Sequence, residues 1–355
     1  DVYKSQAVYN YLLNASAQWI EDLHPVGFRL DAVKHVGGDF WKKYIGEIRG
    51  KSESPVAMIG ELYNGDPAAI AKGFSKDGFS HLFDFPLYFA MKEVFCQGEH
   101  AGRLASILSL DRLYADPTRL ITFADNHDLP RVWTACGQDT ARVEALLTFM
   151  LSARGTPSLN YGTEYLMGGK GEPQNRADMR FDKTPPLASL LERLLTLRRE
   201  HAVFRNGKDQ PLIVEKQRYA YVRVGAKASA LIAMNLSDRK WALSHEALAG
   251  EGARDALTGK PLTKAELRLD PGTTRIVLLP ASDTPGYQKL LAAAEGKSRT
   301  LVVVAKADAT ALRLVGGGPE FGNWNPDLAP AGTRLADGRF RFEIESVSYT
   351  HLTLP

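Results

Sequence analysis

Three acidic residues stand at the ends of short apolar runs. Asp31 lies in Gly27-Phe28-Arg29-Leu30-Asp31-Ala32-Val33-Lys34-His35, Glu61 in Ile59-Gly60-Glu61, and Asp128 in Phe123-Ala124-Asp125-Asn126-His127-Asp128. An apolar run that ends on an acid is the pattern of a buried parallel strand delivering a polar side chain at its C-terminal tip. Strand tips that present carboxylates to one mouth build the active site of a (β/α)8 barrel. Two carboxylates that flank a sugar bond are the usual machinery of glycoside hydrolysis. Singly, each signal is weak. An Asp near an Arg is usually an ion pair, a Glu at a strand end a solvated cap, and Asn-His-Asp a turn. Order and spacing carry the reading: 30 residues separate Asp31 from Glu61, room for one βα unit, and 67 separate Glu61 from Asp128, room for two.

The elements that must position these acids follow from hydrophobic periodicity. It predicts a helix over 7–22, a strand over Val26–Asp31, and a helix over Asp39–Arg49 with Asp39 as N-cap. A strand over Val56–Leu62 precedes a short helix after Pro67, then a strand over His81–Phe85 and a helix over Leu87–Phe95. Helix is expected again over 101–114 and Thr140–Ala153, with a strand at Arg119–Ala124 between them. A strand over Pro157–Tyr161 and a helix over Leu187–His201 complete the series. Alternating strand and helix argue for parallel βα units. About five units are legible rather than eight, and five strands cannot close such a barrel. The expectation is therefore that residues 1–205 form the C-terminal part of a catalytic (β/α)8 barrel whose first strands lie upstream, and that this chain alone is an incomplete, inactive fragment.

Near residue 205 the alternation stops. Pro211–Lys216, Tyr219–Val224, Ala230–Asn235 and Thr274–Leu279 read as short strands of an antiparallel β-sandwich over 206–280. Residues 281–299 read as a polar, Ala-rich linker. Thr300–Lys306, Ala311–Val315 and Arg339–Glu345 give a second β segment over 300–346, and 347–355 read as a tail foreign to the native protein.

Of the 355 residues, 44% are hydrophobic and 24% charged, with a net charge of +3, an ordinary globular balance. Basic residues are scattered, so nothing points to nucleic acid or to an anionic membrane. No apolar stretch approaches the ~20 residues needed to span a bilayer. Cys96 and Cys136 fit no metal or redox spacing. Two buried free thiols are the more usual state for such a pair, and a disulfide is the alternative.

At these residues a resemblance becomes specific. Gly27–His35 resembles the second conserved region of glycoside hydrolase family 13, the α-amylase family; Gly60-Glu61 resembles the third and Phe123–Asp128 the fourth, in the family's order. The resemblance covers residues 7–280. It implies a retaining double displacement, with Asp31 as nucleophile, Glu61 as acid and base, and Asp128 as the third acid holding ring hydroxyls beside His127. Arg29, two residues before Asp31 on the same strand face, would keep the nucleophile ionised. Glu61, after Ile59 and Gly60, is expected in a less charged neighbourhood suited to acid work. Lys34 and His35 would line the leaving-group side, and the His35 carbonyl would join a calcium site whose other ligands lie outside this chain. Tyr63 and Asn64 would contact the acceptor sugar or pack the loop.

Met167-Gly168-Gly169-Lys170-Gly171-Glu172-Pro173-Gln174-Asn175-Arg176 resembles the donor-side loop of cyclodextrin glucanotransferases and related amylases, where an acid and an Arg hold a glucose. Glu172 stands where that family usually has Asp; Arg176 matches. Phe321-Gly322-Asn323-Trp324-Asn325-Pro326 is similar to part of a family 20 starch-binding module, in which Trp324 would stack on a glucose face. The resemblance therefore implies a secreted enzyme acting on starch, maltooligosaccharides or related α-1,4-glucans. A cyclodextrin glucanotransferase-type transglycosylase and a non-catalytic glucan-binding protein are the alternatives.

Overall fold

The computed structural model describes residues 5–181, 184–225, 227–244, 248, 252–262, 266–280, 299–306, 311, 313, 331–335 and 339–346. The chain divides into two units. The first comprises Asp1–Phe89, Leu113–Phe123 and Gly155–Ser158; the second comprises Ala90–Arg112, Ala124–Arg154 and Leu159–Pro355.

The first unit holds a parallel sheet of β1 (Gly27–Leu30), β2 (Ala57–Gly60), β3 (His81–Phe83), β4 (Leu120–Phe123) and β5 (Thr156–Ser158). The strands lie side by side in sequence order and every pairing is parallel. The five βα strands expected from the periodicity are thus present, the first four trimmed by a residue or two at an end and the fifth shifted, starting at Thr156 and ending three residues before Tyr161. Helix α1 (Gln6–Leu23) precedes β1, α2 (Gly38–Gly50) follows it, and α3 (Pro67–Lys72) follows β2. Tyr9, Leu13 and Ile20 of α1 share a core with Trp41, Tyr44, Ile45 and Ile48 of α2 and with Met58 of β2. Asp66 caps α3 by accepting from the Ala68 N–H, with Pro67 opening the helix. Asp39 is not the N-cap of α2. That position is the extended Gly37, and Asp39 sits in the first turn, where its charge still meets the positive end of the helix.

Close packing explains one glycine. A Cβ on Gly60 would lie 2.8 Å from both Leu82 Cδ2 and Phe79 Cδ1, so only Gly lets β2 pass its neighbours just before Glu61.

Helix α4 (Phe85–Met91) leads into the second unit, which contains α5 (Gly102–Ser109), α6 (Val132–Ala135), α7 (Thr140–Ser152) and α8 (Ala188–Glu200). The helix expected over 101–114 ends early and tightens to a 3₁₀ turn at Leu110–Leu113. Cys96 and Cys136 form a disulfide, so they are not the free thiols that burial statistics favour. Five antiparallel strands follow: β6 (Lys208–Val214), β7 (Arg218–Val224), β8 (Ala228–Asn235), β10 (Arg254–Asp255) and β12 (Thr273–Pro280), in the order β10-β12-β8-β7-β6. β9 (Trp241–Ser244) and β11 (Glu266–Leu269), neither expected, pair with each other. Val222, Leu231 and Val277 of the larger sheet share one core with Trp241, Leu243, Leu267 and Leu269 of the smaller. β13 (Arg299–Lys306), β14 (Thr333–Arg334) and β15 (Arg339–Ser346) form a further antiparallel sheet. Trp324, residues 281–298 and the tail 347–355 lie outside the described residues. No helix among the described residues is long and apolar enough to cross a membrane.

Candidate active site

In the first unit, register brings two of the acids together. Arg29 of β1 pairs with Ile59 of β2, and Leu30 with Gly60. The ladder continues one step further, the Glu61 N–H donating to the Leu30 carbonyl at 2.9 Å. Asp31 and Glu61 therefore follow directly on the C-terminal ends of neighbouring parallel strands. Side chains two apart on a strand share a face, so Arg29 and Asp31 point the same way. Arg29 exploits this: its Nη1 lies 2.8 Å from Asp31 Oδ1 and its Nη2 2.8 Å from Glu61 Oε2. One guanidinium fork bridges both acids. The expectation of a less charged neighbourhood for Glu61 is corrected, because the register carries the same Arg to it.

The two acids differ in exposure. The Asp31 side chain is 69% exposed and that of Glu61 11%. Directly after Asp31, Ala32 takes a left-handed φ of +46°, unusual for a residue with a Cβ. The resulting turn directs the Ala32 N–H to Glu61 Oε2 at 3.3 Å and the Val33 N–H to the Glu61 carbonyl at 3.2 Å. The Val33 carbonyl accepts from Trp41 Nε1 at 3.1 Å, which ties this turn to α2. Lys34 and His35 occupy the exposed part of the same turn. Tyr63, half-exposed, packs edge-on against Phe85, ring centres 4.8 Å apart.

The second unit carries the other sequence-predicted residues. The chain leaves β4 through Asp125, Asn126, His127 and Asp128. Asp128 pairs with Arg176 through a short Nη2–Oδ1 contact, and His127 Nε2 lies 3.2 Å from Asp128 Oδ2. Arg176 also meets Glu172 at 2.7 Å. The Gly-rich loop thus brings Arg176 to Asp128 and Glu172 to Arg176. Sequence reasoning missed what lies beneath. Asp125, buried, accepts from the Val132 N–H at 2.6 Å and so caps α6. Burial pushes its carboxyl above the usual carboxylate range, against the Val132 N–H, the Arg131 charge and Asn160, which pull it down. Arg131, also buried, donates through Nη2 to the Tyr161 carbonyl at 2.6 Å and lies over the Tyr161 ring at 4.6 Å. An Arg three residues after Asp128, in an otherwise apolar stretch, was the available signal.

Among the described residues, no three His, Cys, Asp or Glu side chains gather to hold a metal ion. The His35 carbonyl would be a lone ligand.

Five parallel strands in sequence order, with an Arg-bridged acid pair just past neighbouring C-terminal tips, are the arrangement of part of a (β/α)8-type fold. Residues 2–185 match the α-amylase catalytic domain, and the chain belongs to that family, glycoside hydrolase family 13. It is 30% identical over 244 residues to a cyclomaltodextrin glucanotransferase of Bacillus sp. (strain 6.6.3), covering 66% of this chain and 33% of that protein. An α-amylase of Niallia circulans is 29% identical over 238 residues, covering 66% of this chain and 44% of that protein. Among solved structures, the α-amylase of Geobacillus thermoleovorans complexed with acarbose superposes with a TM-score of 0.71 at 26% identity, covering 79% of this chain and 65% of that one. The chain spans about a third of the length of the glucanotransferases it matches.

Proposed function

We propose that this chain carries the catalytic carboxylates of a retaining enzyme that hydrolyses α-1,4-glucosidic bonds in starch-like glucans. The observation that carries the proposal is the Arg29 fork holding Asp31 and Glu61 on adjacent strand tips, in a chain of the α-amylase family. Two acids tied to one guanidinium suit the close carboxyl spacing, ~5–5.5 Å, of the covalent route rather than the wider gap that admits a water.

In this reading Asp31, the exposed partner, attacks the anomeric carbon and forms a covalent glycosyl-enzyme. Glu61 gives its proton to the leaving oxygen and then takes one from the incoming water. Asp128, with His127 beside it, hydrogen-bonds ring hydroxyls as positive charge develops at the anomeric carbon. Arg176 and Glu172 hold a glucose on the donor side, Lys34 and His35 line the leaving-group side, and Trp324 of a starch-binding module stacks on the polymer. A calcium ion in the complete protein, reached by the His35 carbonyl, belongs to the same proposal. So does secretion, which the disulfide supports, since such bonds persist in oxidising compartments.

A second reading, transglycosylation to cyclic products, has its own support: several of the similar curated proteins are glucanotransferases, and the Met167–Arg176 loop resembles the donor-side loop of that group apart from Glu172 in place of Asp. Incubation of the complete protein with soluble starch tests both. Linear reducing products support hydrolysis and cyclic products support the transferase. Binding of maltoheptaose without bond cleavage would overturn both in favour of a glucan-binding protein.

A further inference from the structure

We propose that Asn175 is a positioning residue for the Asp128 segment, acting from beneath the donor-side loop. The inference rests on the function proposed above for its catalytic consequence, but not for its structural content. Asn175 and Arg176 belong to one 3₁₀ turn, Gln174–Arg176, of which Asn175 is the buried member. Arg176 is exposed and reaches the Asp128 carboxylate; Asn175 is 1% exposed and reaches the backbone on either side of it. Its Nδ2 donates to the His127 carbonyl at 2.8 Å and to the Leu129 carbonyl at 3.4 Å. An amide nitrogen has two hydrogens, one for each carbonyl. The residues flanking Asp128 are thereby held by a single buried side chain.

Two further bonds bind the same segments and make the anchoring specific to this place. The Arg131 N–H donates to the Gly169 carbonyl at 2.9 Å, and the Gly169 N–H donates to Thr134 Oγ1 at 2.8 Å. The left-handed side of backbone space at Gly169, φ +155°, lets the loop pass close over the Asn175 backbone, where a Cβ would lie 2.6 Å from the Asn175 nitrogen. The loop from Gly168 to Arg176 is therefore laid onto Asn126–Thr134 at both ends, with Asn175 holding the backbone on either side of Asp128. Only an amide meets the requirement. A carboxylate at 175 would set negative oxygen against two carbonyl oxygens, and an aliphatic side chain would take the amide donor from the part-buried His127 carbonyl and the buried Leu129 carbonyl.

The consequence is catalytic through geometry. A misplacement of about 1 Å in a group that contacts the transition state can cost on the order of a hundredfold in rate. Releasing the His127 and Leu129 carbonyls leaves the segment to its local bonds, the Asp128 N–H to Asn126 Oδ1 and the Leu129 N–H to the Asn126 carbonyl, and to Arg176, which is exposed and shared with Glu172.

The test is made on the complete protein with two readouts. In hydrogen exchange, Asn175→Ala should speed exchange of the amides of residues 126–129 at least tenfold and leave β7 and β8 unchanged. In maltoheptaose cleavage, kcat should fall about 10- to 100-fold with little change in KM. Combined with Asp128→Asn, it should add less than a threefold further loss, because both changes act on one group. Asn175→Ser, which keeps one donor, replaces the Ala variant if that fails to fold, and should show smaller changes in the same directions. Unchanged exchange at 126–129 overturns the anchoring. Accelerated exchange with wild-type kcat, or losses that multiply with Asp128→Asn, overturns the positioning role. A wild-type protein that cleaves no glucan overturns the proposed function, and exchange then still decides on the anchoring.

Discussion

Replacing Arg29 by Met keeps most of the apolar stem and removes the charged fork. The structure fixes what is lost. At Glu61, an ion pair of 2.8 Å to a mostly buried carboxylate disappears, worth ~1.5–3 kcal/mol, between the value of an exposed pair and that of a fully buried one. At Asp31 the matching bond is exposed, and solvent screening leaves it ~0.2–1 kcal/mol. Together about 2–4 kcal/mol of ordering is withdrawn from the acid pair, which corresponds to roughly a 30- to 900-fold fall in kcat/KM. Arg29→Lys should fall between the two, since one ammonium is a compact point charge and cannot fork to two carboxylates. The Ala32 N–H still reaches Glu61, so Glu61 should lose precision rather than leave the site. The assay is release of reducing ends from maltoheptaose by the complete protein, with thermal unfolding as a check on folding. An Arg29→Met variant within about threefold of wild type in kcat/KM, and folded, would show that the fork orders nothing the reaction needs.

Other expectations concern stability. Gly60→Ala should cost ~1–3 kcal/mol by overpacking against Leu82 and Phe79, and should lower activity with it because Glu61 is the next residue; urea unfolding with unchanged midpoint would contradict this. Loss of the disulfide, which closes a separation of 40 residues, should remove roughly 4 kcal/mol in the chain-entropy account; denaturation of a Cys96→Ser/Cys136→Ser variant measures it, and equal stability with and without the bond would refute it. Asp255 is buried, which raises its carboxyl, but Thr258 Oγ1, the Thr258 N–H and Arg275 more than offset this and hold it below its ordinary value of 3.8. A lowered native value means the stabilisation is present above 3.8 and lost as pH falls through the native value. The stability gap between wild type and Asp255→Asn should therefore close in acid, and a gap that stays constant with pH would count against the pairing.

The strand tips were legible because a buried parallel strand followed by an acid is a local pattern. β1, β2 and β4 were found from it with errors of one or two residues. Arg29 and Asp31 could be placed on one face from strand alternation alone. That Arg29 also grips Glu61 depends on register between two strands, which no local pattern shows. Asn175 is further from reach, since its value lies in two backbone carbonyls, His127 and Leu129, nearly fifty residues earlier. β9 and β11 were missed for a related reason: each is four residues long within turn-rich sequence, and each is a strand because the other pairs with it. Cys96 and Cys136 gave no sign of pairing because chain separation does not report distance.

The central claim is that Asp31 forms the covalent bond to the sugar. A fluorinated α-maltosyl fluoride, used with the complete protein to slow turnover of the glycosyl-enzyme, followed by peptide mapping, tests it most directly. A glycosyl ester is expected on the peptide containing Asp31, and none in Asp31→Asn. An ester on Glu61 or Asp128, or turnover with inversion at the anomeric carbon, would contradict it.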